Sequence, residues 1–169
     1  MFLIPDLKQK SMIRIGNGYD VHLLADGLPF YLGGIKVDHT KGCVAHSDGD
    51  TLIHALCDAM LGALALGDIG KHFPDSSAEF KGIDSKILLA RVNKLIHEQG
   101  YEIVNADCTI LLQKPKVAPY IIPMRECLAS ILETTPDRVS VKATTTAGAG
   151  FVGREEAIAV YATVLLKRK

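Results

Sequence analysis

The sequence predicts an α+β fold, a mixed β-sheet covered by helices on one face, and three observations lead to it. Apolar and polar residues alternate through Ile13-Arg14-Ile15 and again through 101–113, as in half-buried strands. Apolar residues recur at helical spacing through 52–60, 84–99 and 119–132. The patterns follow one another in the order βββααβαββ, which suits helices packed on one side of a sheet. The 169 residues suffice for one domain with a real core and are few for two. Regular patterning begins at Met12, so residues 1–11 are expected to be an N-terminal extension and 12–169 a single domain.

Taken in order, Met12 to His22 reads as a strand with a glycine-marked irregularity at Gly16-Asn17-Gly18 and a polar tip, Tyr19-Asp20-Val21-His22. Side-chain direction repeats every two residues along a strand, so Asp20 and His22 share a face. Such a pair offers two metal ligands side by side, or simply a polar strand end facing water. A third ligand such as His54 packed beside it would favour the metal. Phe30 to Val37 reads as a strand pair joined at Gly33-Gly34. Lys41 to Ala45 then leads into a helix ending near Leu66-Gly67, for which Ser47 is the expected N-cap and Asp50 the capping-box acid. Carboxylates at 48 and 50 also suit the positive field of a helix start.

Leu52, Ile53, Leu56, Ala59 and Met60 give that helix a face to bury, while Asp50, His54 and Asp58 recur every four residues along another row. Two carboxylates around an imidazole suit metal binding or acid–base work, and a solvated helix face has the same spacing. The segment Gly67 to Ser77 is expected to be a loop. Its Asp68 and Asp75 fit closure over a polar substrate, or a plain connection. A helix over 84–99 stops at Gly100, and the strand 101–113 is broken by Lys114-Pro115-Lys116. Pro119 opens a helix running to Leu132. The strand Val139 to Thr144 runs into Thr144-Thr145-Thr146, whose hydroxyls beside Lys142 suit a phosphate contact; threonine is also a good strand former. Beyond the small residues 147–150, Ala157 to Leu166 forms an apolar final strand.

Composition narrows the function classes. Lys and Arg number 19 and Asp and Glu 19, so no net charge argues for a nucleic acid or an anionic membrane as partner. Cys43, Cys57, Cys108 and Cys127 are scattered without a Cys-x-x-Cys pair, which excludes a cysteine-based zinc module and suits a reducing compartment. No apolar run approaches membrane-spanning length, and residues 1–8 are too short and too soon broken by Pro5 and Asp6 for a signal peptide. The protein is expected to be soluble and cytoplasmic.

Five polar blocks stand in order along the chain: Gly18-Tyr19-Asp20-Val21-His22, Ala45-His46-Ser47-Asp48-Gly49-Asp50, His54-Ala55-Leu56-Cys57-Asp58-Ala59, Leu66 to Asp75, and Lys142-Ala143-Thr144-Thr145-Thr146. In these blocks and their spacing, the sequence from Met12 to the C-terminus resembles the 2-C-methyl-D-erythritol 2,4-cyclodiphosphate synthase family of the non-mevalonate isoprenoid pathway. The resemblance implies a ferredoxin-like or chorismate-mutase-like arrangement and a homotrimer with sheets around a three-fold axis. It implies a lyase that converts 4-diphosphocytidyl-2-C-methyl-D-erythritol 2-phosphate to the cyclic diphosphate plus CMP. By the same resemblance Asp20, His22 and His54 bind Zn²⁺, leaving a position open for substrate, and Asp58 is either a partner of that site or solvent-facing.

His46 and Thr145 match the transition-state stabilisers, and Ser47 lies beside His46 on phosphate. Asp20, Val21 and His22 also belong to the substrate set; Asp68, Ile69 and Gly70 hold the methylerythritol part; and Phe73, Pro74, Asp75, Ser76 and Ser77 form a mobile loop nearby. Leu112, Gln113, Lys114, Pro115, Lys116, Val117 and Ala118 match the cytidine pocket, with Thr144, Thr145, Thr146 and Ala147 along the diphosphate. Phe151 and Arg154 match residues near the trimer axis, where an isoprenoid diphosphate is a further possible ligand. Ala147 departs from the pattern, because the family places there a glutamate that helps hold Mg²⁺ or Mn²⁺ on the diphosphate, so weakened magnesium dependence is expected. Two other readings are open, a zinc-dependent phosphohydrolase using the same triad, and an inactive homologue that binds isoprenoid diphosphates.

Overall fold

The structure, a computed structural model, describes residues 12–169. The N-terminal extension expected over 1–11 lies outside the described residues. Strand β1 (Ile13–Asp26) is the long arm to which the rest is fitted. It pairs antiparallel with β4 (Lys41–Cys43) on one side and with β7 (Ala157–Arg168) on the other. Beyond β7 come β5 (Tyr101–Leu111), antiparallel to it, and β6 (Val139–Thr144), parallel to β5. The five-stranded order is therefore β4-β1-β7-β5-β6, a mixed sheet as the sequence predicts. A separate hairpin joins β2 (Phe30–Leu32) to β3 (Ile35–Val37) through Gly33 and Gly34, whose φ angles of 60° and 78° suit a two-residue turn that needs both residues left-handed.

The helices lie against one face. Helix α1 (Thr51–Ala63) packs across β1 and β7, α3 (Ser85–Glu98) lies beside α1 and touches β5, and α4 (Ile121–Ile131) packs against β6. Leu52, Leu56 and Met60 of α1, Leu89 and Ile96 of α3, and Met124 and Leu128 of α4 are completely withdrawn from water and join Ile110, Val160 and Val164 of the sheet in one core. Two short α-helices, α2 (Ile69–His72) and α5 (Gly150–Gly153), and three 3₁₀ turns at Ala78–Phe80, Ala118–Tyr120 and Pro136–Arg138 lie in the connections. The opposite sheet face is uncovered in the single chain: Ile15 is 72% exposed and Leu23 63%, and Tyr19 stacks on Tyr161 across the β1–β7 pair with ring centroids 4.5 Å apart.

Three sequence expectations are corrected here. Gly16 and Gly18 mark no irregularity, since β1 pairs with β7 without a break from Ile13 to Leu23. They are small because α1 rests on them: a Cβ on Gly16 would lie 1.8 Å from the Ala59 carbonyl oxygen, and one on Gly18 1.9 Å from that of Ala55. Helix α1 starts at Thr51 with Asp50, not Ser47, as its N-cap; the Asp50 side chain accepts from the Ile53 amide at 3.0 Å. The stretch 67–77 is not all loop, because Asp68 caps α2 by accepting from the Lys71 amide at 2.9 Å.

The glycine contact yields a direct test. Gly18→Ala should cost at least about 2 kcal/mol in chemical denaturation, because backbone on both sides must move. Gly62→Ala, on α1 with only the Asn17 carbonyl oxygen 3.9 Å from the added carbon, should be neutral or stabilising. Equal stability of the Gly18 variant and the parent would contradict the packing described.

Candidate functional site

Asp20 and His22 leave β1 on the face that meets α1, and His54 comes down from α1's first turn to join them. Asp20 Oδ2 lies 3.0 Å from His22 Nε2 and 3.2 Å from His54 Nδ1, and the two ring nitrogens are 3.0 Å apart. A four-coordinate cation with bonds of about 2.1 Å would hold its ligands about 3.4 Å apart, so this triangle needs to open only slightly to take one. The far nitrogen of each ring has its own partner. His22 Nδ1 lies 3.2 Å from the Val44 carbonyl oxygen, which can only accept, so Nδ1 carries a proton and Nε2 is the nitrogen turned to the centre. His54 Nε2 lies 2.9 Å from Ser85 Oγ and 3.2 Å from Ser47 Oγ.

Electrostatics of the triad run the same way. Burial opposes charge on Asp20, but hydrogen bonds to His22 and His54 outweigh it and hold this carboxyl well below the usual range. Burial also opposes charge on His22, and the hydrogen bond and charge of Asp20 overcome it, leaving the imidazole above its ordinary value. Asp20 Oδ1 accepts from the Val21 amide at 2.9 Å, which fixes the carboxylate and leaves Oδ2 for the histidines.

The row Asp50, His54, Asp58 does not act as one set. Asp50 is fully buried and accepts from three backbone amides, Gly33 at 2.9 Å, Gly34 at 2.6 Å and Ile53 at 3.0 Å. Burial pushes its carboxyl up, and the amide donors pull the other way. Its work is to tie the β2–β3 hairpin to the start of α1. Asp58 is neither a partner of the triad nor solvent-facing: it is half-buried and accepts from the Ile69 amide at 2.7 Å, so it anchors the start of α2.

The triad forms the floor of a cavity of about 320 Å³ whose walls include His46, Ser47, Ile69, Gly70, Phe73 and Asp75. Thus His46, Ser47 and much of the 69–75 segment line the same cavity as the triad. His46 Nε2 donates to the Ser77 carbonyl at 3.3 Å, and Phe73 meets Phe80 edge-to-face at 5.5 Å, so the segment 73–77 rests on the cavity rim. Asp68, Pro74 and Ser76 are exposed beside it, and the Val21 side chain, on the other face of β1, points away.

A second set of residues lies elsewhere. Leu112, Gln113, Pro115, Lys116, Val117, Ala118, Thr144 and Thr145 line a cleft of about 260 Å³ between the end of β5 and the end of β6. Lys114 is exposed there and pairs with Glu155 at 3.0 Å. The register sets Val21 level with Ala159, Leu111 and Thr144, so this cleft and the triad share one end of the sheet but stand three strands, about 14 Å, apart. Neither of these two cavities is lined by both His46 and Thr145. Thr146, Ala147, Phe151 and Arg154 follow the cleft; Ala147 adopts a φ of 54°, Phe151 is exposed, and Arg154 grips Glu156 with two bonds of 2.8 and 3.0 Å.

Sequence reasoning missed Ser85. It is fully buried, reaches His54 from α3, and gives its hydroxyl proton to Asp48. A serine after an aspartate at a helix start reads only as capping, and nothing in its spacing reveals a contact 31 residues back along the chain.

The fold and this polar centre define an α+β protein with a three-ligand site at one end of a mixed sheet. A model described as the YgbB family matches residues 13–167. A 2-C-methyl-D-erythritol 2,4-cyclodiphosphate synthase of Bacillus mycoides (strain KBAB4) is 55% identical over 158 residues, 94% of this chain and 100% of that relative. Among solved structures, the bifunctional IspDF of Campylobacter jejuni superposes with a TM-score of 0.90 at 42% identity over 93% of this chain, which spans 42% of that longer protein. IspF of Plasmodium falciparum in its CDP complex superposes with a TM-score of 0.83 at 32% identity, over 95% of this chain and 99% of its own. The chain belongs to the YgbB family, that of the 2-C-methyl-D-erythritol 2,4-cyclodiphosphate synthases, and is an enzyme of that class.

Proposed function

We propose that residues 12–169 act as one synthase domain that closes 4-diphosphocytidyl-2-C-methyl-D-erythritol 2-phosphate into 2-C-methyl-D-erythritol 2,4-cyclodiphosphate with loss of CMP, at a Zn²⁺ held by Asp20, His22 and His54. The observation that carries this reading is the convergence of one carboxylate oxygen and two imidazole nitrogens within 3.0–3.2 Å of one another. One carboxylate and two imidazoles form a donor set that would suit a catalytic zinc. Zinc, when bound, supplies a Lewis acid and a template for phosphoryl transfer.

The chain's own residues do the rest. The 2-phosphate oxygen attacks the β-phosphorus, the bond from that phosphorus to the CMP oxygen breaks, and CMP leaves with the electron pair. Both partners are anionic, so the protein's task is to neutralise charge and align them, and no protein nucleophile is needed. His46 and Ser47, on the cavity wall above the triad, donate to the phosphate being attacked. Ile69 and Gly70, with Asp68 capping their helix, cradle the methylerythritol part, and Phe73 to Ser77 cover it. The cleft of 112–118 receives cytidine, and Thr144, Thr145 and Thr146 lie along the diphosphate, with Thr145 the second stabiliser of the transition state.

Those two half-sites stand on separate strands of one chain, and the substrate must touch both. The reading is therefore completed by a homotrimer in which the cleft of one copy meets the triad cavity of the next. The uncovered apolar sheet face, with Ile15, Tyr19, Leu23 and Tyr161, is the surface suited to bury in it. Phe151 and Arg154 follow toward the three-fold axis, where an isoprenoid diphosphate would find a cationic side chain. A cytoplasmic setting is part of this proposal, and no helix among the described residues is long and apolar enough to cross a membrane.

Phosphorus NMR of the purified protein with this substrate, Zn²⁺ and Mg²⁺ tests the reading. CMP and a cyclic diphosphate should appear, and His54→Ala should slow their formation at least about 10²-fold. Linear phosphates would point to a hydrolase instead, and zinc binding without turnover to a binding protein. Ala147 offers no carboxylate to a second cation, so Mg²⁺ or Mn²⁺ is held mainly by the diphosphate and water. Ala147→Glu should lower the half-saturating Mg²⁺ concentration severalfold, and identical midpoints would contradict this role.

A further inference from the structure

We infer that Ser85 and Asp48 are the positioning pair of the metal site: they fix the proton of His54 on Nε2 so that Nδ1 meets the cation bare. The inference rests on the metal reading above and extends it to two residues that never touch the ion. Ser85 is completely buried at the first position of α3, with its Oγ 2.9 Å from His54 Nε2 and 2.5 Å from Asp48 Oδ1. A carboxylate only accepts, so the Ser85 hydroxyl proton goes to Asp48. The Ser85 oxygen then has only lone pairs left for the ring, and His54 Nε2 must donate to it. The remaining nitrogen, Nδ1, is the one 3.0 Å from His22 Nε2 and 3.2 Å from Asp20 Oδ2. Proton order along Asp48–Ser85–His54 thus dictates which nitrogen faces the centre.

The outer end of this chain is anchored. Asp48 Oδ2 accepts from the Ser85 amide at 3.0 Å, placing the carboxylate at the start of α3, where backbone N–H groups favour a negative charge. Asp48 Oδ1 also accepts from the Asp50 amide at 3.2 Å. Two backbone bonds clip the segments together: the Gly82 amide donates to the His46 carbonyl at 2.7 Å, and the Asp48 amide to the Ile83 carbonyl at 3.1 Å. The start of α3 is therefore part of the metal site.

Ser47 is not equivalent to Ser85, although its Oγ is also 3.2 Å from His54 Nε2. It accepts from the Gly49 amide at 3.2 Å and lies on the cavity wall, and its hydrogen bonds among the described residues include no carboxylate. That leaves its hydroxyl proton for a phosphate. The two serines divide the work: Ser85 aims the ligand, and Ser47 faces the substrate.

The test is zinc affinity of the folded, metal-free protein, measured by competition with a chromophoric chelator, with the visible spectrum of the Co²⁺ form as a second readout. Ser85→Ala should weaken zinc about 10- to 100-fold and alter the Co²⁺ spectrum, with the metal-free protein melting near the parent. Asp48→Asn should lower affinity in the same direction, and it carries the test should Ser85→Ala not fold. Ser47→Ala should lower zinc affinity less than Ser85→Ala. Parent-like affinity in Ser85→Ala, or a larger loss in Ser47→Ala, would overturn the inference while leaving the metal reading in place. A folded parent that takes up no zinc would sink the metal reading itself, and this inference with it.

Discussion

The approach of α1 onto the bare backbone of β1 is the contact on which the rest depends. Gly16 and Gly18 let the helix carbonyls of Ala59 and Ala55 sit where side chains would otherwise stand. Two residues further along the same strand face, Asp20 and His22 replace glycine with ligands, and the helix that lies so close delivers His54 between them. A conventional spacing between helix and sheet leaves room for a layer of side chains. Here that layer is removed at one end of the contact, and the polar centre occupies the other. The same alternation that puts Gly16 and Gly18 under the helix puts Ile15, Tyr19 and Leu23 on the uncovered face, so one strand serves both the site and the apolar surface.

Around this contact, three carboxylates accept from backbone amides of neighbouring segments. Asp50 satisfies three amides and so joins the hairpin to the helix start; Asp58 holds the start of α2; Asp48 holds the start of α3. Each carboxylate sits where unpaired backbone N–H groups would otherwise be costly. The starts of α1, α2 and α3 are thereby tied to neighbouring segments, and α1, α2 and α3 each contribute residues to the cavity over the triad.

Much of this was legible in the sequence. The strands 101–113 and 139–144 and the helix over 84–99 come from periodicity and fall close to the observed elements. Asp20 and His22 share a face by strand alternation alone, and His54 stands out on its helix. The spacing of Asp50, His54 and Asp58 misled in one respect, because equal spacing on a helix says nothing of what each side chain meets. A cap, a ligand and a loop anchor have the same period. Gly16 and Gly18 read as a break because glycine weakens a strand, and only the packed helix shows why they are there. Ser85 was illegible for a related reason: its contact with His54 is made by tertiary packing between helices, which leaves no local pattern.

Asp20, His22 and His54, the residues proposed to hold the metal, are brought together within a single chain by the β1–α1 contact. Zinc-edge X-ray absorption of the zinc-loaded protein tests that centre most directly. The account predicts two imidazole nitrogens and at least one oxygen at about 2.0–2.2 Å, with no sulfur. A shell of sulfur at about 2.3 Å would place the ion on a cysteine and contradict the claim that the β1–α1 contact builds the site.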